Sequence, residues 1–237
     1  MKNTFKSILK QLGLYNSAKS FYQNIRPISE NVIVGGMECT GSTFVCQIVK
    51  EMGFKPKKIH EYYNKKNILK LITFRDPRDI ICSFARRTMK EMVDAKGLEE
   101  TLIASHKYLF LHHKRHEDLR RYSQEQHSLL IRYEDYFVGN EGNLIDQLAE
   151  FLKVDIDDSF KLFILLEYSI EKNKQRASKF SSFQEYDKDT LIHGNHLSSN
   201  GMSKVWKELF TPAVCEITKR DLGDFLIEYG YESNLDW

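Results

Sequence analysis

A glycine-rich stretch with three hydroxyl side chains lies near the start of the chain, in the sequence GGMECTGST at residues 35–43. It follows a short apolar run and precedes apolar residues at helical spacing, so we predict that it joins a buried strand to a helix. The start of such a helix presents unpaired backbone N–H groups and a partial positive charge. Gly41 lets the backbone approach a ligand closely, and Thr40, Ser42 and Thr43 add hydroxyl donors. These features predict a site for a phosphate-like anion.

One position of this loop differs from the loops that bind nucleoside triphosphates. Those loops follow the pattern GxxxxGK[ST], in which the lysine binds the terminal phosphates and the hydroxyl binds magnesium. Residues 36–43 match the pattern GxxxxGST, with Ser42 in the place of the lysine. The loop therefore disfavours a metal-bound triphosphate. A tight strand-to-helix turn without a ligand is the alternative for the loop taken alone.

A second group of polar side chains follows in the sequence FRDPRDIICSFARR, at residues 74–87. Arg75 is predicted at the end of a buried strand, and Pro77 suits the first turn of a following helix. Ser83 comes two turns into that helix, so it can face the same pocket as Arg75. The rigid fork of arginine suits a phosphate, and each charge-assisted hydrogen bond of this kind is worth about 1.5–3 kcal/mol.

With these two groups in order, the sequence resembles the sulfotransferase superfamily, whose members use 3′-phosphoadenosine 5′-phosphosulfate (PAPS) as sulfuryl donor. The similar segments are a 5′-phosphosulfate loop, a segment with a catalytic histidine, a 3′-phosphate motif, a strand end beside adenine and a C-terminal loop over the 3′-phosphate. In this chain they read CTGSTF (39–44), KIH (58–60), RDPRD with Ser83 (75–83), RYED (132–135) and SSNGMSKVWKELFTP (198–212).

The resemblance implies a role for each matching residue. His60 is the implied catalytic base, Glu61 is the second candidate for the base, and Lys58 is the third candidate catalytic residue. A base near neutral pKa is what the deprotonation of an acceptor hydroxyl needs, although an isolated histidine is also a common surface residue. Phe44 stacks on adenine or is simply the first apolar residue of a buried helix. The implied donor-binding residues are Cys39, Thr40, Gly41, Ser42, Thr43, Phe44, Arg75, Ser83, Tyr133, Ser199, Asn200 and Gly201.

The sequence departs from the family pattern at two places. Cys39 occupies the position of the basic residue that opens the 5′ loop, and Ser199 and Asn200 replace an arginine and a lysine of the C-terminal loop. The first change bears on the catalytic rate, because electrostatic stabilisation of developing charge is usually the largest catalytic contribution. Three basic residues are candidates to supply the missing charge: Lys58, Arg86 and Arg87.

The elements that must position these residues alternate between strand and helix. We predict an α/β fold with a single domain, in which a central parallel sheet is flanked by helices. The resemblance implies a P-loop-like topology, as in sulfotransferases and nucleotide kinases. Residues 1–30 are predicted to form an N-terminal amphipathic helix and lead-in, and residues 31–237 the sulfotransferase-like domain.

Further elements are predicted from the apolar pattern along the chain. Strands are predicted at residues 32–34, 57–62, 68–74 and 127–135. Helices are predicted at residues 44–53, 77–92, 98–121, 143–152, 160–170 and 212–229. Residues 171–203 are polar without firm periodicity, which is typical of a functional or mobile segment.

Composition narrows the class of protein. A formal net charge of +2 is too small for a general nucleic-acid binder. The four cysteines have no CxxC spacing and indicate reduced thiols. Without a signal-peptide pattern or an apolar run of about 18 residues, we expect a cytoplasmic protein. His112 and His116 have a spacing that can bind zinc, but without a third ligand we predict a solvated helix face and no metal.

The predicted function is the transfer of a sulfuryl group from PAPS to a hydroxyl or amine of an acceptor. The acceptor is a small molecule, a glycan, a lipid or a peptide, with a glycan or lipid slightly preferred. The alternatives are a nucleoside or small-molecule kinase and a non-catalytic protein that binds PAPS or its product PAP. The N-terminal helix carries lysines between Phe5, Ile8, Leu9 and Leu12, so it either contacts an anionic membrane or packs on the domain. The sequence does not indicate the oligomeric state.

Overall fold

A parallel sheet forms the centre of the protein. The computed structural model describes residues 32–137, 139–194 and 201–237. In these residues four strands are paired in the order β2-β1-β3-β4, and every neighbouring pair runs parallel. The strands are β1 Val32–Gly36, β2 Lys57–Lys58, β3 Leu69–Phe74 and β4 Ser128–Arg132. Their carboxyl ends meet at one edge of the sheet, where ligands of such folds usually bind.

Helices connect the strands and cover the sheet, which confirms the predicted α/β fold. The helices are α1 Ser42–Glu51, α2 Pro77–Thr88, α3 Lys90–Lys96, α4 Leu98–His106, α5 Arg115–Ser123, α6 Tyr133–Tyr136, α7 Glu141–Leu152, α8 Asp158–Glu167, α9 Ile170–Ala177, α10 Trp206–Leu209 and α11 Pro212–Glu228. A π-helical turn, Lys107–His112, follows α4.

The core has one hydrophobic cluster on each side of the sheet. Val32, Val34 and Leu71 pack against α1, α7 and α8, and we call this cluster the α1 side. Ile72 and Phe74 pack against α2, α4 and α11, and we call this cluster the α2 side. The division follows from strand geometry, because successive side chains point to opposite faces of a sheet.

Some predicted elements are shorter or divided. The second strand pairs with β1 only at Lys57–Lys58. The helix predicted at residues 98–121 is divided, because Lys114 adopts a φ of +47° and α5 begins after it. His112 and His116 therefore lie in different elements, and the prediction of a shared helix face is wrong. The segment predicted as irregular begins with α9, and the helix predicted at residues 160–170 ends at Glu167.

Some of the sequence-based predictions concern residues that the structure does not describe. The predicted N-terminal helix, Ser199 and Asn200 lie outside the described residues, and the division between residues 30 and 31 stays a prediction. Of the helices in the described ranges, none has the length and apolar character needed to cross a membrane. The same ranges contain no group of three His, Cys, Asp or Glu side chains arranged to hold a metal ion.

Candidate active site

A glycine and a buried threonine hold the loop after β1 in shape. Gly36 has a φ of +115°, and a Cβ atom there would lie 2.0 Å from the carbonyl oxygen of Thr73, so only glycine fits. The hydroxyl of Thr40 donates to the carbonyl oxygen of Met37 over 2.6 Å and lies 2.6 Å from Oγ1 of Thr73. The Thr40 side chain thus bonds the loop to β3 inside the protein, whereas the sequence pattern predicts that its hydroxyl donates to the ligand.

The start of α1 leaves its backbone N–H groups accessible to a ligand. Gly41 precedes the helix with a φ of +84°, and no side chain caps the helix start. A Cβ atom at Gly41 would lie 2.2 Å from Cζ of Phe137, so the glycine also makes room for this ring. Ser42 and Thr43 form the first turn and are buried. A helix N-terminus without a side-chain cap has backbone N–H groups to offer an anion.

Lys58 brings a cation to this loop from the neighbouring strand β2. Its Nζ donates a hydrogen bond of 2.7 Å to Oγ1 of Thr43. Burial lowers the pKa of the Lys58 ammonium from its ordinary value, and the positive charge of Arg87 lowers this pKa further. A basic side chain thus contacts the loop even though Cys39 stands where the family pattern has a basic residue.

His60 lies two residues further on, after β2, and contacts the carboxyl end of β1. Its Nδ1 is 3.2 Å from the carbonyl oxygen of Gly36. A carbonyl can only accept a hydrogen bond, so this contact assigns the proton to Nδ1 and leaves Nε2 as the basic nitrogen. Burial lowers the pKa of His60, Glu38 raises this pKa and Lys58 lowers it. The imidazole is therefore neutral at neutral pH, as a general base must be.

Glu61, the second candidate for the base, has a different position. Its side chain is exposed. Its backbone carbonyl accepts a hydrogen bond of 3.1 Å from the hydroxyl of Tyr122, which fixes the chain after His60. Glu61 thus supports the loop through its backbone, while its carboxylate faces solvent.

A buried ion pair lies beside His60 and was not predicted. Nη2 of Arg115 donates to Oε1 of Glu38 over 2.9 Å, and its Nε lies 3.2 Å from both carboxylate oxygens. Both side chains are buried. A buried glutamate inside an anion-binding loop needs a cation as its partner. The presence of Glu38 in the loop sequence was therefore the signal from which such an ion pair could have been predicted. The break before α5 is what brings Arg115 to the loop.

Arg75 lies at the end of β3 and is buried. Its Nη2 donates to the carbonyl oxygen of Met202 over 2.6 Å and lies 3.5 Å from Oδ2 of Asp79. Its guanidinium carbon is 4.3 Å from the ring centroid of Tyr133. Nε of Arg75 is buried without a hydrogen-bond partner in the described part of the chain. Arg75 therefore has hydrogen-bonding capacity that its protein contacts do not use.

The segment after residue 200 is attached to the same strand ends. The hydroxyl of Tyr133 donates to the carbonyl oxygen of Gly201 over 3.0 Å. The carboxylate of Asp79, in the first turn of α2, accepts from the backbone N–H groups of Lys204 at 2.7 Å and Trp206 at 3.2 Å. Two strand ends and the start of α2 thus hold this segment over the site.

A cleft of about 410 Å³ runs along these residues. Eight predicted site residues line it: Cys39, Gly41, Thr43, Phe44, Arg75, Ser83, Tyr133 and Gly201. Thr40 and Ser42 are buried in the loop, and Lys58 and His60 are half-buried beside it. Of the three candidates for the missing charge, Lys58 contacts the loop and Arg87 lines the cleft, whereas Arg86 does neither.

A comparison with protein families decides what kind of domain this is. The family model described as the sulfotransferase domain matches residues 55–224, which is well over half of the 237 residues. The chain belongs to the sulfotransferase domain family. A comparison with curated protein sequences gives no significant match.

Solved structures share the fold of this sulfotransferase domain. The mouse sulfotransferase SULT7A1, crystallised in complex with PAP, has a TM-score of 0.61 and 14% identity, over 88% of this chain and 90% of that chain. Retinol dehydratase, in complex with androsterone and inactive cofactor PAP, has a TM-score of 0.58 and 14% identity, over 86% of this chain and 83% of that chain.

In this sulfotransferase domain, the cleft also contains residues that the sequence analysis did not single out. Phe137 stacks on Tyr133 with ring centroids 4.4 Å apart and meets Phe44 edge-on at 5.8 Å. Residues around the start of α9 line the opposite wall: Tyr168, Ser169, Ile170 and Asn173. The signal for this wall was Ser169 followed by Glu171, which is typical of a helix start. Ser169 accepts from the backbone N–H of Lys172 over 3.3 Å.

Proposed function

We propose that the protein transfers a sulfuryl group from PAPS to a hydroxyl or amine of an acceptor. The observation that carries this proposal is the hydrogen bond of 2.7 Å from Lys58 Nζ to Thr43 Oγ1. It joins a cation, a hydroxyl and a helix N-terminus at one point, and His60 follows Lys58 by two residues. A site for an anionic leaving group and a base for the acceptor thus lie side by side.

Two further residues of the cleft support a site for the second phosphate of the donor. Nε of Arg75 is buried without a hydrogen-bond partner in the described residues, and Ser83 lines the same cleft. These two residues would hold the 3′-phosphate, with the ring of Tyr133 at 4.3 Å from the guanidinium carbon of Arg75. The aromatic pair Phe44 and Phe137 offers faces for the adenine, because aromatic rings favour stacked or edge contacts.

The roles of the chain's own residues follow from these positions. When bound, the donor supplies the sulfuryl group and leaves as PAP. His60 Nε2 accepts the proton that the acceptor hydroxyl or amine loses as its oxygen or nitrogen bonds to sulfur. Lys58 and the start of α1 stabilise the negative charge that develops on the 5′-phosphate as the sulfur–oxygen bond breaks.

The alternatives are weaker on the same observations. A kinase would need the loop lysine that Ser42 replaces, and membership of the sulfotransferase domain family argues against it. A non-catalytic protein that binds PAP is favoured by Cys39. The contact of Lys58 with Thr43 argues against this alternative, because it returns a cation to the loop.

Two measurements test the proposal. In a thermal-shift titration we expect stabilisation by PAP and none by ATP with magnesium. Arg75→Ala should weaken PAP by about 10–100-fold and adenosine 5′-phosphate much less, since the lost contacts are charge-assisted bonds to the 3′-phosphate. Arg86→Ala is the matched control, because Arg86 does not line the cleft.

Transfer itself is measured with radiolabelled PAPS and a panel of small-molecule, glycan and lipid acceptors. Sulfate incorporation into at least one acceptor, lost in His60→Ala, is the expected result. PAP binding without incorporation into any acceptor would favour the non-catalytic alternative. Equal loss of PAP and adenosine 5′-phosphate in Arg75→Ala would mean that Arg75 holds the strand end instead.

A further inference from the structure

Arg87 is a cation in the cleft that the roles proposed so far do not use. It lies one helical turn after Ser83 on α2 and lines the same cleft. Its Nε is buried and has no hydrogen-bond partner in the described ranges, and in those ranges Arg87 takes part in no ion pair. A guanidinium with unused donors in a cleft is suited to an oxyanion.

An aromatic stack supports this guanidinium. The Cζ atom of Arg87 lies 4.6 Å from the ring centroid of Phe183. Phe183 stacks on His193 with centroids 4.5 Å apart, and His193 stacks on Tyr186 at 4.9 Å. The Nδ1 atom of His193 is 2.7 Å from the carbonyl oxygen of Phe183, and this contact joins the two ends of the segment 183–193. A cation–π contact uses none of the N–H groups as hydrogen-bond donors, so these groups stay available to a ligand.

Lys58 and Arg87 both act electrostatically on His193, the middle ring of this aromatic stack. Burial lowers the pKa of His193, and the charges of Lys58 and Arg87 lower it further. Arg87 also lowers the pKa of Lys58, whose burial has the larger effect. Lys58, Arg87 and His193 are therefore close enough to one another to interact electrostatically.

The donor does not account for Arg87. In the proposed function Lys58 and Thr43 serve the 5′-phosphosulfate, and Arg75 and Ser83 serve the 3′-phosphate. A further cation beside Lys58 is unfavourable by itself, because like charges repel. An anion that comes with the other substrate removes this cost.

We propose that Arg87 selects an acceptor that carries an anionic group of its own, a carboxylate or a phosphate ester, in addition to the hydroxyl or amine that is sulfated. This inference rests on the proposed function and gives it a substrate class. Phe183, as the ring under Arg87, is the positioning residue for this contact. A neutral glycan or a neutral lipid is then a poor acceptor.

The experiment compares matched phenols as probes. Initial rates of transfer from radiolabelled PAPS are measured with 4-hydroxybenzoate, 4-hydroxyphenyl phosphate and the neutral methyl 4-hydroxybenzoate. For the native chain we expect kcat/KM to be about 10–100-fold higher with the better anion than with the ester. The first two probes distinguish a carboxylate site from a phosphate site.

Variants test whether Arg87 causes the preference for an anionic probe. Arg87→Met keeps the packing on Phe183 without the charge, and it should abolish the preference, measured as the ratio of kcat/KM for the anion to kcat/KM for the ester, while the Kd of PAP stays unchanged. Arg86→Met, a change of the same kind outside the cleft, should leave the preference intact. A preference for the ester in the native chain, equal loss on all probes in Arg87→Met, or a weakened affinity for PAP would overturn the inference.

Binding separates this inference from the proposed reaction. Calorimetry with the PAP-saturated protein measures the affinity for 4-hydroxybenzoate and 4-hydroxyphenyl phosphate without turnover. If no probe is sulfated but one of them binds and needs Arg87, the anion site stands and the proposed transfer fails. If PAP binds and neither anion does, the inference is wrong whatever the outcome for turnover.

Discussion

Lys58 reaches the phosphate loop from a neighbouring strand, and its Nζ bonds to Thr43 Oγ1. We therefore expect Lys58→Met to lower turnover by about 10²–10³-fold, since the leaving phosphate of the proposed reaction loses the cation that contacts the loop. Cys39→Lys alone should change turnover little, because the charge is already present. In the double variant the new lysine should restore part of the lost rate. Single-turnover rates with PAPS measure all three.

Two outcomes would contradict this assignment of the cation. A large rise in turnover with Cys39→Lys alone would mean that the native loop lacks a working cation. A double variant no faster than Lys58→Met, with PAP binding intact, would mean that the two positions do not serve the same phosphate.

His60 determines the expected pH dependence. Its pKa lies below the ordinary value of 6.5 because of burial, and a base works only when it is neutral. Turnover should therefore be constant at neutral pH and fall as the pH drops below 6.5 through the lowered pKa. Glu38 raises this pKa, whereas Lys58 and Arg115 lower it. Glu38→Gln should thus move the acidic limb to lower pH in a profile of kcat/KM.

The matched control for this profile is Glu61→Gln. Because the Glu61 carboxylate is exposed, its loss should leave the acidic limb in place. Loss of activity in Glu61→Gln with activity retained in His60→Ala would instead make Glu61 the base.

At the scale of elements, the β1–α1 loop depends on one missing Cβ atom. Gly36→Ala would place a carbon 2.0 Å from a backbone oxygen of β3, at a φ of +115°. Gly53 is the control, because it also has a positive φ, +91°, but a Cβ atom there meets nothing within 4 Å. Gly53→Ala should cost about 1–2 kcal/mol of the free energy of unfolding, from backbone strain alone. Gly36→Ala should cost about 3 kcal/mol more, or prevent folding.

Urea unfolding of both variants measures these costs. Equal costs for the two substitutions would mean that β3 can move away from the loop, in which case steric contact does not explain the glycine at position 36.

Sequence spacing predicted the elements that alternate between strand and helix, because apolar periodicity reports which face of an element is buried. It did not predict the break at Lys114, since a residue in the left-handed conformation leaves no periodic signal in the sequence. The contact of Arg115 with Glu38, which follows this break, joins distant segments. The motif residues that line the cleft were predictable because each motif is a short continuous stretch of sequence. The Lys58–Thr43 contact and the Arg87–Phe183 contact join distant segments, so their geometry depends on the packed fold.

For the whole molecule, the two-sided core predicts a single cooperative unfolding transition. Cys46 is buried on the α1 side and Cys82 on the α2 side. Burial raises the pKa of each thiol to about 12, so both resist alkylation in the folded protein. Because both clusters pack on the same four strands, the two thiols should become reactive at the same urea concentration. Pulse alkylation followed by peptide mass spectrometry measures each thiol separately.

Different midpoints for the two thiols would show that one side of the sheet opens alone. PAP should raise both midpoints together, because a ligand of the folded state stabilises it as a whole.

Asp79 holds the segment at Lys204 and Trp206 and also lies 3.5 Å from Arg75. In the proposed reaction, donor and spent nucleotide share the 3′-phosphate, so contacts that retain one also retain the other. If Asp79 holds this segment more tightly, the product stays bound for longer, and product release then limits the rate of turnover. Loosening this segment weakens the capture of donor and speeds the departure of product. Affinity and throughput thus move in opposite directions whenever release is slow.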